Sequence, residues 1–393
     1  MLVIWLVLVF VLGAVVGSFV NVCVYRLPLE KSVFWPGSRC GHCFQKIRWY
    51  DNIPLVSYWV LRGRCRVCKT RFSPRYLLVE LLTACSFAAL FYLEVVVNVN
   101  SLIYDDWKPG PVMATAGMPR QDTGPLVRQQ RETVLRFQRL RIAWGSVPWR
   151  AWVTFGYHAI LISLLITVTF CDLDRRLIPT SVTVPGTIVG LIGATLLPWP
   201  WPASVEAPLA GMPAHEPWWQ VPPQIGPQLG LYPWPVWGPL PEGLAPGGNW
   251  QTGLATGLAG MLAGTLVLRT VRALFSRGLG VEALGLGDAD LMMMAGAFLG
   301  WQPVVVAFLV AVLPALVMGV IQLAVFGDNS LPFGPSLAIG VVLTWLSWHW
   351  LGPHVQVLFF YGPLMLALAG GCCVFMLAAG YLFRMARLAR GGE

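Results

Sequence analysis

The sequence predicts an all-α polytopic membrane protein of about eight to nine transmembrane helices, with a small polar insert near its start. Three observations carry this expectation. Of 393 residues, 56% are hydrophobic and only 11% charged, well below the roughly 25% charged content usual in soluble domains. Apolar runs of about 17 to 25 residues, enough to cross roughly 30 Å of hydrocarbon, recur along almost the whole chain. The cations behind the formal charge of +9 sit in short stretches beside those runs, the pattern of loops retained on one membrane face rather than of a nucleic-acid surface. No nucleic-acid partner is expected.

Taken in order, residues 1–22, "MLVIWLVLVFVLGAVVGSFVNV", form the first transmembrane helix. They lack a basic n-region and a small-x-small cleavage site, and Arg26 and Lys31 follow. An uncleaved span with its N-terminus outside is expected rather than a signal peptide. The insert 23–76 carries eleven cations, from Arg26 to Arg75, against only Glu30 and Asp51, which assigns it to the cytoplasm. Residues 77–393 form a membrane-embedded domain whose spans run over about 77–97, 151–171, 179–198, 251–269, 289–301, 303–326, 336–351 and 356–383. Alternation of sides puts inserts at 98–150 and 199–250 outside. The first contains the basic stretch "RQQRETVLRFQRLRIAW", read as an amphipathic helix on the membrane surface or as a solvated helix face. The second is so rich in Pro, Trp and Gly that neither helix nor regular strand is expected, and its Trp residues suit the headgroup layer.

Two constellations carry chemistry. "CGHC" supplies Cys40 and Cys43 and "CRVC" supplies Cys65 and Cys68, with twenty-one residues between the pairs. Two such knuckles can close a tetrahedral thiolate shell around structural Zn²⁺, with a bound iron centre or a redox pair as the alternatives. A reducing cytoplasmic loop disfavours disulfides, and a closed shell leaves no open position for substrate. Cys23, Cys85, Cys171, Cys372 and Cys373 have no such spacing and read as small apolar side chains.

The second constellation pairs Asp172 and Asp174, at the end of one span, with Asp288 and Asp290 at the start of another. A carboxylate beside hydrocarbon is costly, so function is the default reading. Asp288 is also suited to capping a helix N-terminus, whereas Asp172 would oppose the dipole at a C-terminus. Two carboxylates brought together from different helices would share one proton, the arrangement of aspartyl-protease chemistry. Members of each cluster stand about 200° apart around a helix, so only one of each can face a shared cleft. Gly285 and Gly287 in "GLGD" are expected to permit tight or positive-φ backbone and close approach of a substrate strand. The alternative from another class is a transporter that couples intramembrane carboxylates to protons or cations.

"GSFVNVCVYRLP" (17–28), "DNIPLVSYWVLRGRCRVC" (51–68), "RYLLVE" (75–80), "DLDRRLIP" (172–179), "GLGD" (285–288) and "PFGPSLAIG" (332–340) stand in one order. In that order the chain resembles the type IV prepilin peptidases, the GxGD-type aspartyl proteases that act as leader peptidase and N-methyltransferase. The resemblance implies that Asp172 and Asp288 are the catalytic pair, with Asp174 and Asp290 as neighbours. It implies a multi-pass protein of the bacterial inner membrane with its active site facing the cytoplasm. It also implies cleavage of a short basic leader from prepilin or pseudopilin precursors of type IV pili or type II secretion, then methyl transfer from S-adenosylmethionine. Membrane lipids are the other expected partner. Thr180 departs from the Asp or Asn that family members often carry there, and the inserts at 98–150 and 199–250 are long for the family.

Overall fold

The computed structural model describes residues 1–100, 136, 140–142, 145–197, 250–280, 285–326, 332–360 and 362–390. The expected surface helix at 128–144 falls mostly outside these residues, and the Pro- and Trp-rich stretch 199–249 wholly so. Among the described residues the protein is helical, with no strand beyond two isolated bridges. Its long helices are α1 (Leu2–Arg26), α2 (Arg75–Leu90), α3 (Trp149–Arg175), α4 (Thr180–Leu196), α5 (Trp250–Leu279), α6 (Leu286–Leu299), α7 (Trp301–Phe326), α8 (Gly334–Phe360) and α9 (Gly362–Arg390). Each falls on one of the expected apolar runs.

Six segments among the described residues are long and apolar enough to cross a membrane: Leu2–Leu29, Arg75–Val97, Trp149–Arg175, Trp250–Leu279, Trp301–Ala324 and Leu364–Met385. This is a multi-pass membrane protein. The fourteen residues of α6 rise only about 21 Å, short of the roughly 30 Å of hydrocarbon. Boundaries shift where Gly and Pro were read as breaks: α8 continues through Gly352 and Pro353 to Phe360, and α4 and α7 hold Pro185 and Pro314 inside them. Apolar surroundings tolerate such residues because neighbouring groups satisfy the freed backbone.

The chain divides into two compact units, Met1–Pro179 and Thr180–Glu393. In the first, α1 and α2 approach backbone to backbone. A Cβ added to Gly13 would stand 2.8 Å from the Ala84 Cα, and one on Gly17 2.8 Å from the Glu80 Cα. Small residues allow this approach, and dispersion between the helices rewards it where lipid supplies no hydrophobic drive. Beyond α2 the chain winds into a π-helical turn, Phe91–Val97. There Phe91, Trp152 and Phe155 stack within 6.0 Å of one another and Trp5 of α1 joins Trp152 at 5.1 Å. Inside the same packing, Glu94 and His158 are hydrogen-bonded and almost wholly buried.

In the second unit α6 is the central helix, buried along nearly its whole length. Its even apolarity suits a helix enclosed on all sides. A Cβ on Gly260 of α5 would come within 2.1 Å of the Gly296 carbonyl oxygen, and one on Gly264 within 2.1 Å of that of Met292. Gly190 brings α4 against Phe298 of the same helix. Gly300 ends α6 at φ 85, a left-handed conformation that glycine adopts freely, and α7 begins at the next residue.

Candidate active site and metal centre

Asp172 lies in the last turn of α3 and is buried, at 6% exposure. Its carbonyl accepts the N–H of Arg176, the left-handed residue that closes the helix, at 2.8 Å. A charge on this carboxylate works against the helix dipole. Asp174 stands around the helix from it and has a different environment. It is partly exposed and forms an ion pair with Arg75 at the start of α2, whose guanidinium rests 5.4 Å from the centre of the Phe170 ring. The two residues of the cluster are thus physically distinct, one buried and one neutralised near the surface.

Asp288 is the third residue of α6, where the dipole favours an anion, and is 8% exposed. Its Oδ2 folds back to 3.5 Å from where a Cβ on Gly285 would sit. Asp290 is only half-buried. The positive φ anticipated for the glycines is absent: Gly285 is extended, at φ −68 and ψ 148, and Gly287 is already within the helix. The local demand is a helix start, which ordinary φ values satisfy.

The four insert cysteines converge, their Sγ atoms all lying within 4.8 Å of one another. Cys40 and Cys68 are 3.7 Å apart and Cys43 and Cys65 4.0 Å, far from the roughly 2.05 Å of a disulfide. A tetrahedral site with metal–sulfur bonds of about 2.3 Å has edges of about 3.8 Å. The residues present therefore fit a metal ion. Each knuckle is built alike: the Cys40 and Cys65 amides donate to the carbonyls of Gln45 and Thr70, while Phe44 and Lys69 donate back to the cysteine carbonyls. Phe44 and Lys69 pay for this with φ of 57 and 59, which costs roughly 1–2 kcal/mol each outside glycine.

The thiols do not share negative charge easily. Hydrogen bonds from the Thr70 hydroxyl and amide pull Cys68 down to about 6. Cys43 has the Gln45 amide in its favour, yet burial and the three neighbouring thiols push it up to about 11. A divalent cation would relieve that conflict.

The family described as Bacterial Peptidase A24 N-terminal domain matches residues 11–93, and the Type IV leader peptidase family matches 244–320. Over these two segments the chain is similar to the type IV leader peptidase family. Relatives named prepilin leader peptidase/N-methyltransferase include one from Myxococcus xanthus, 28% identical over 82% of this chain and 64% of its own length. Another, from Pseudomonas putida, is 27% identical over 86% of this chain and 88% of its own. A third, from Pectobacterium carotovorum, is 28% identical over 84% and 89%. The chain thus spans under two thirds of the Myxococcus relative but most of the other two. No solved structure matches. Nothing supports a transporter.

The two matches fall on different elements. The first covers the second part of α1, the cysteine insert and α2; the second covers α5, α6 with Asp288, and most of α7. Asp172 lies outside both. Sequence reasoning missed three structural supports. Arg75, which holds Asp174, had no local signal. Glu94 and His158 stand 64 residues apart and meet only through packing of helices. The glycines of α5 had a legible one, the small residues three or four apart in "TGLATGLAGMLAG" (252–264) at Gly253, Gly257, Gly260 and Gly264.

Proposed function

We propose that this chain is a GxGD-type aspartyl endopeptidase of the bacterial inner membrane. It removes the short basic leader of prepilin-like or pseudopilin precursors at the cytoplasmic face and then methylates the new N-terminus. The observation that carries the reading is a buried carboxylate at each of two helix ends, one of them within the matched leader-peptidase segment. Such groups are costly beside hydrocarbon, which makes function their default reading. Asp172 and Asp288 act as a pair. Asp288, favoured as an anion by its helix N-terminus, takes a proton from water, whose oxygen attacks the scissile carbonyl carbon. Asp172 gives its proton to the carbonyl oxygen. Collapse of the tetrahedral adduct breaks the C–N bond, sends a proton to the departing amine and leaves a carboxylate on the leader. Gly285 and Gly287 leave room for the substrate backbone beside Asp288.

The organisation proposed is a first transmembrane helix at 1–22, a cytoplasmic zinc insert at 23–76 and a peptidase domain at 77–393. Cys40, Cys43, Cys65 and Cys68 hold Zn²⁺, which organises the insert and leaves catalysis to the acids. The methyl donor is S-adenosylmethionine, whose sulfonium gives its methyl group to the new amine. A cavity of about 510 Å³ lined by Ser38, Lys46, Arg48, Trp49, Tyr50 and Asn52 offers aromatic faces for such a cation and basic groups for its carboxylate. The insert's cations serve the membrane and not nucleic acid.

The test is incubation of the purified protein with a pilin-like precursor in detergent, followed by mass analysis of the product's N-terminus. Cleavage after the leader and a 14-dalton increment on the new end are expected. An intact precursor under conditions where the protein stays folded would refute the peptidase reading.

A further inference from the structure

The insert leaves α1 at Leu27 and returns at Arg75 to the start of α2, so both of its ends are fixed to one edge of a closely packed helix pair. Its far side is tied down as well, since the Leu55 amide donates to Glu80 of α2 at 2.8 Å. Arg26, the last residue of α1, donates to the carbonyls of Ser32, Val33 and Pro36 at 3.0, 3.4 and 2.6 Å. These bonds pin the loop 32–38 back along the helix it has just left. Between loop and helix lies a cavity of about 420 Å³, lined by Val15, Phe19 and Val22 on one side and Val33, Phe34 and Pro36 on the other.

Depth gives this cavity its meaning. Val15 precedes Arg26 by eleven residues, about 16 Å along a helix axis. It also belongs to an exposed stripe on α1, Val3, Val7, Val11, Val15 and Phe19, whose four-residue spacing marks one face of the helix. That face belongs to a segment apolar enough to cross the membrane. The cavity is therefore continuous with a lipid-facing surface. At its rim Phe34 and Trp35 are 83% and 77% exposed. The insert's charge complements the same environment. Between residues 27 and 74 the acids are Glu30 and Asp51, against nine cations that include Lys31, Arg39, Lys46 and Arg48. Even a tetrathiolate site holding a divalent ion, with its net charge of about −2, leaves the insert positive.

We propose that the loop 32–38 is an interfacial anchor whose occupant is an anionic phospholipid of the membrane that α1 crosses. Phe34 and Trp35 enter the boundary between headgroups and acyl chains. An acyl chain fills the cavity against Val15 and Phe19. Lys31 and Arg39 meet the phosphates. Aromatic rings at headgroup depth beside basic side chains are the composition such surfaces select. The insert is then held against the bilayer rather than standing off in solvent.

The test places p-benzoylphenylalanine at position 35 and, in a second variant, at position 34, in the full-length, metal-loaded protein. Each variant is reconstituted in nanodiscs of phosphatidylcholine alone or with phosphatidylglycerol added, irradiated, and analysed by mass for lipid adducts. Metal content reports that the insert is folded. Adducts enriched in phosphatidylglycerol are expected, falling about five-fold for each of Lys31→Gln and Arg39→Gln and fading as salt rises. Absent adducts, or adducts indifferent to lipid charge, would overturn the proposal. Adducts formed with an added precursor instead of lipid would overturn it too, and would assign the surface to substrate. Neither outcome depends on peptidase activity.

Discussion

The cysteine cluster and the two buried aspartates proposed as a catalytic pair draw on very different lengths of chain. All four thiols lie between positions 40 and 68, in one unit, on two knuckles of near-identical backbone. Asp172 and Asp288 are 116 residues apart, on the C-terminus of one helix and the N-terminus of another, in separate units. A short segment can complete a metal site by itself, because two tight turns present the ligands. A peptidase pair made from remote acids depends on every helix that sets their positions. The first site should therefore fail locally and the second globally.

The largest expected effect tests that contrast at the acids. Asp172→Asn or Asp288→Asn should each lower cleavage by at least about 10³-fold, and the double variant should be little worse, because residues acting as a unit are not additive. Single-turnover cleavage of a precursor measures this, with metal content unchanged. Undiminished turnover by either variant would remove the mechanism.

A distant perturbation comes next. Gly264→Leu inserts a side chain where even a Cβ would meet the Met292 carbonyl at 2.1 Å, one turn from Asp288. Cleavage should fall by about 10²-fold through displacement of α6, and the melting temperature in detergent should fall with it. The metal should stay bound, since the cysteines lie in the other unit.

Cys40→Ser with Cys68→Ser sharpens the comparison from the other side. Metal should be lost and the insert should become sensitive to protease, because site formation and folding are coupled. Methylation should disappear, while cleavage should stay within about threefold if the metal only organises the insert.

The smallest effect is a dependence on pH. The Arg66 guanidinium, bonded to Asp51 at 2.6 to 3.0 Å, holds that carboxyl below its ordinary value. A depressed folded value means that the pair stabilises the insert above the unfolded carboxyl range of about 3.9 and loses that contribution as pH falls through the folded value. Asp51→Asn should flatten the acid limb of insert unfolding, followed by metal release or amide exchange, and leave neutral behaviour nearly unchanged.

Much of this was legible in advance, and the reasons differ by element. Apolar runs located the helices because hydrocarbon sets their composition residue by residue; the run expected at 303–326, for example, is α7, Trp301–Phe326. The end of α8 was misread at Gly352 because a Gly-Pro signal calibrated on water-exposed helices weakens among apolar neighbours. The span expected at 251–269 continues to Leu279 and carries Arg269, Arg272 and Arg277 on helix rather than loop, since charged side chains do not end a helix that has left the hydrocarbon. The distinction between Asp172 and Asp174 could be stated only as a choice of one, because the partner that occupies Asp174 is Arg75, almost a hundred positions away.

What the sequence determined alone was whatever neighbouring residues decide together: the membrane class, the apolar segments, the two knuckles and the acids at helix ends. Spacing and hydropathy act over one or two turns, so they can be read in one dimension. Only the tertiary structure decided that α6 is a short helix enclosed by its neighbours, that glycines on α5 hold it there, that Glu94 meets His158, and that loop 32–38 folds back on α1. Those outcomes rest on packing between segments far apart in the chain, where one methyl group more or less changes which surfaces can touch.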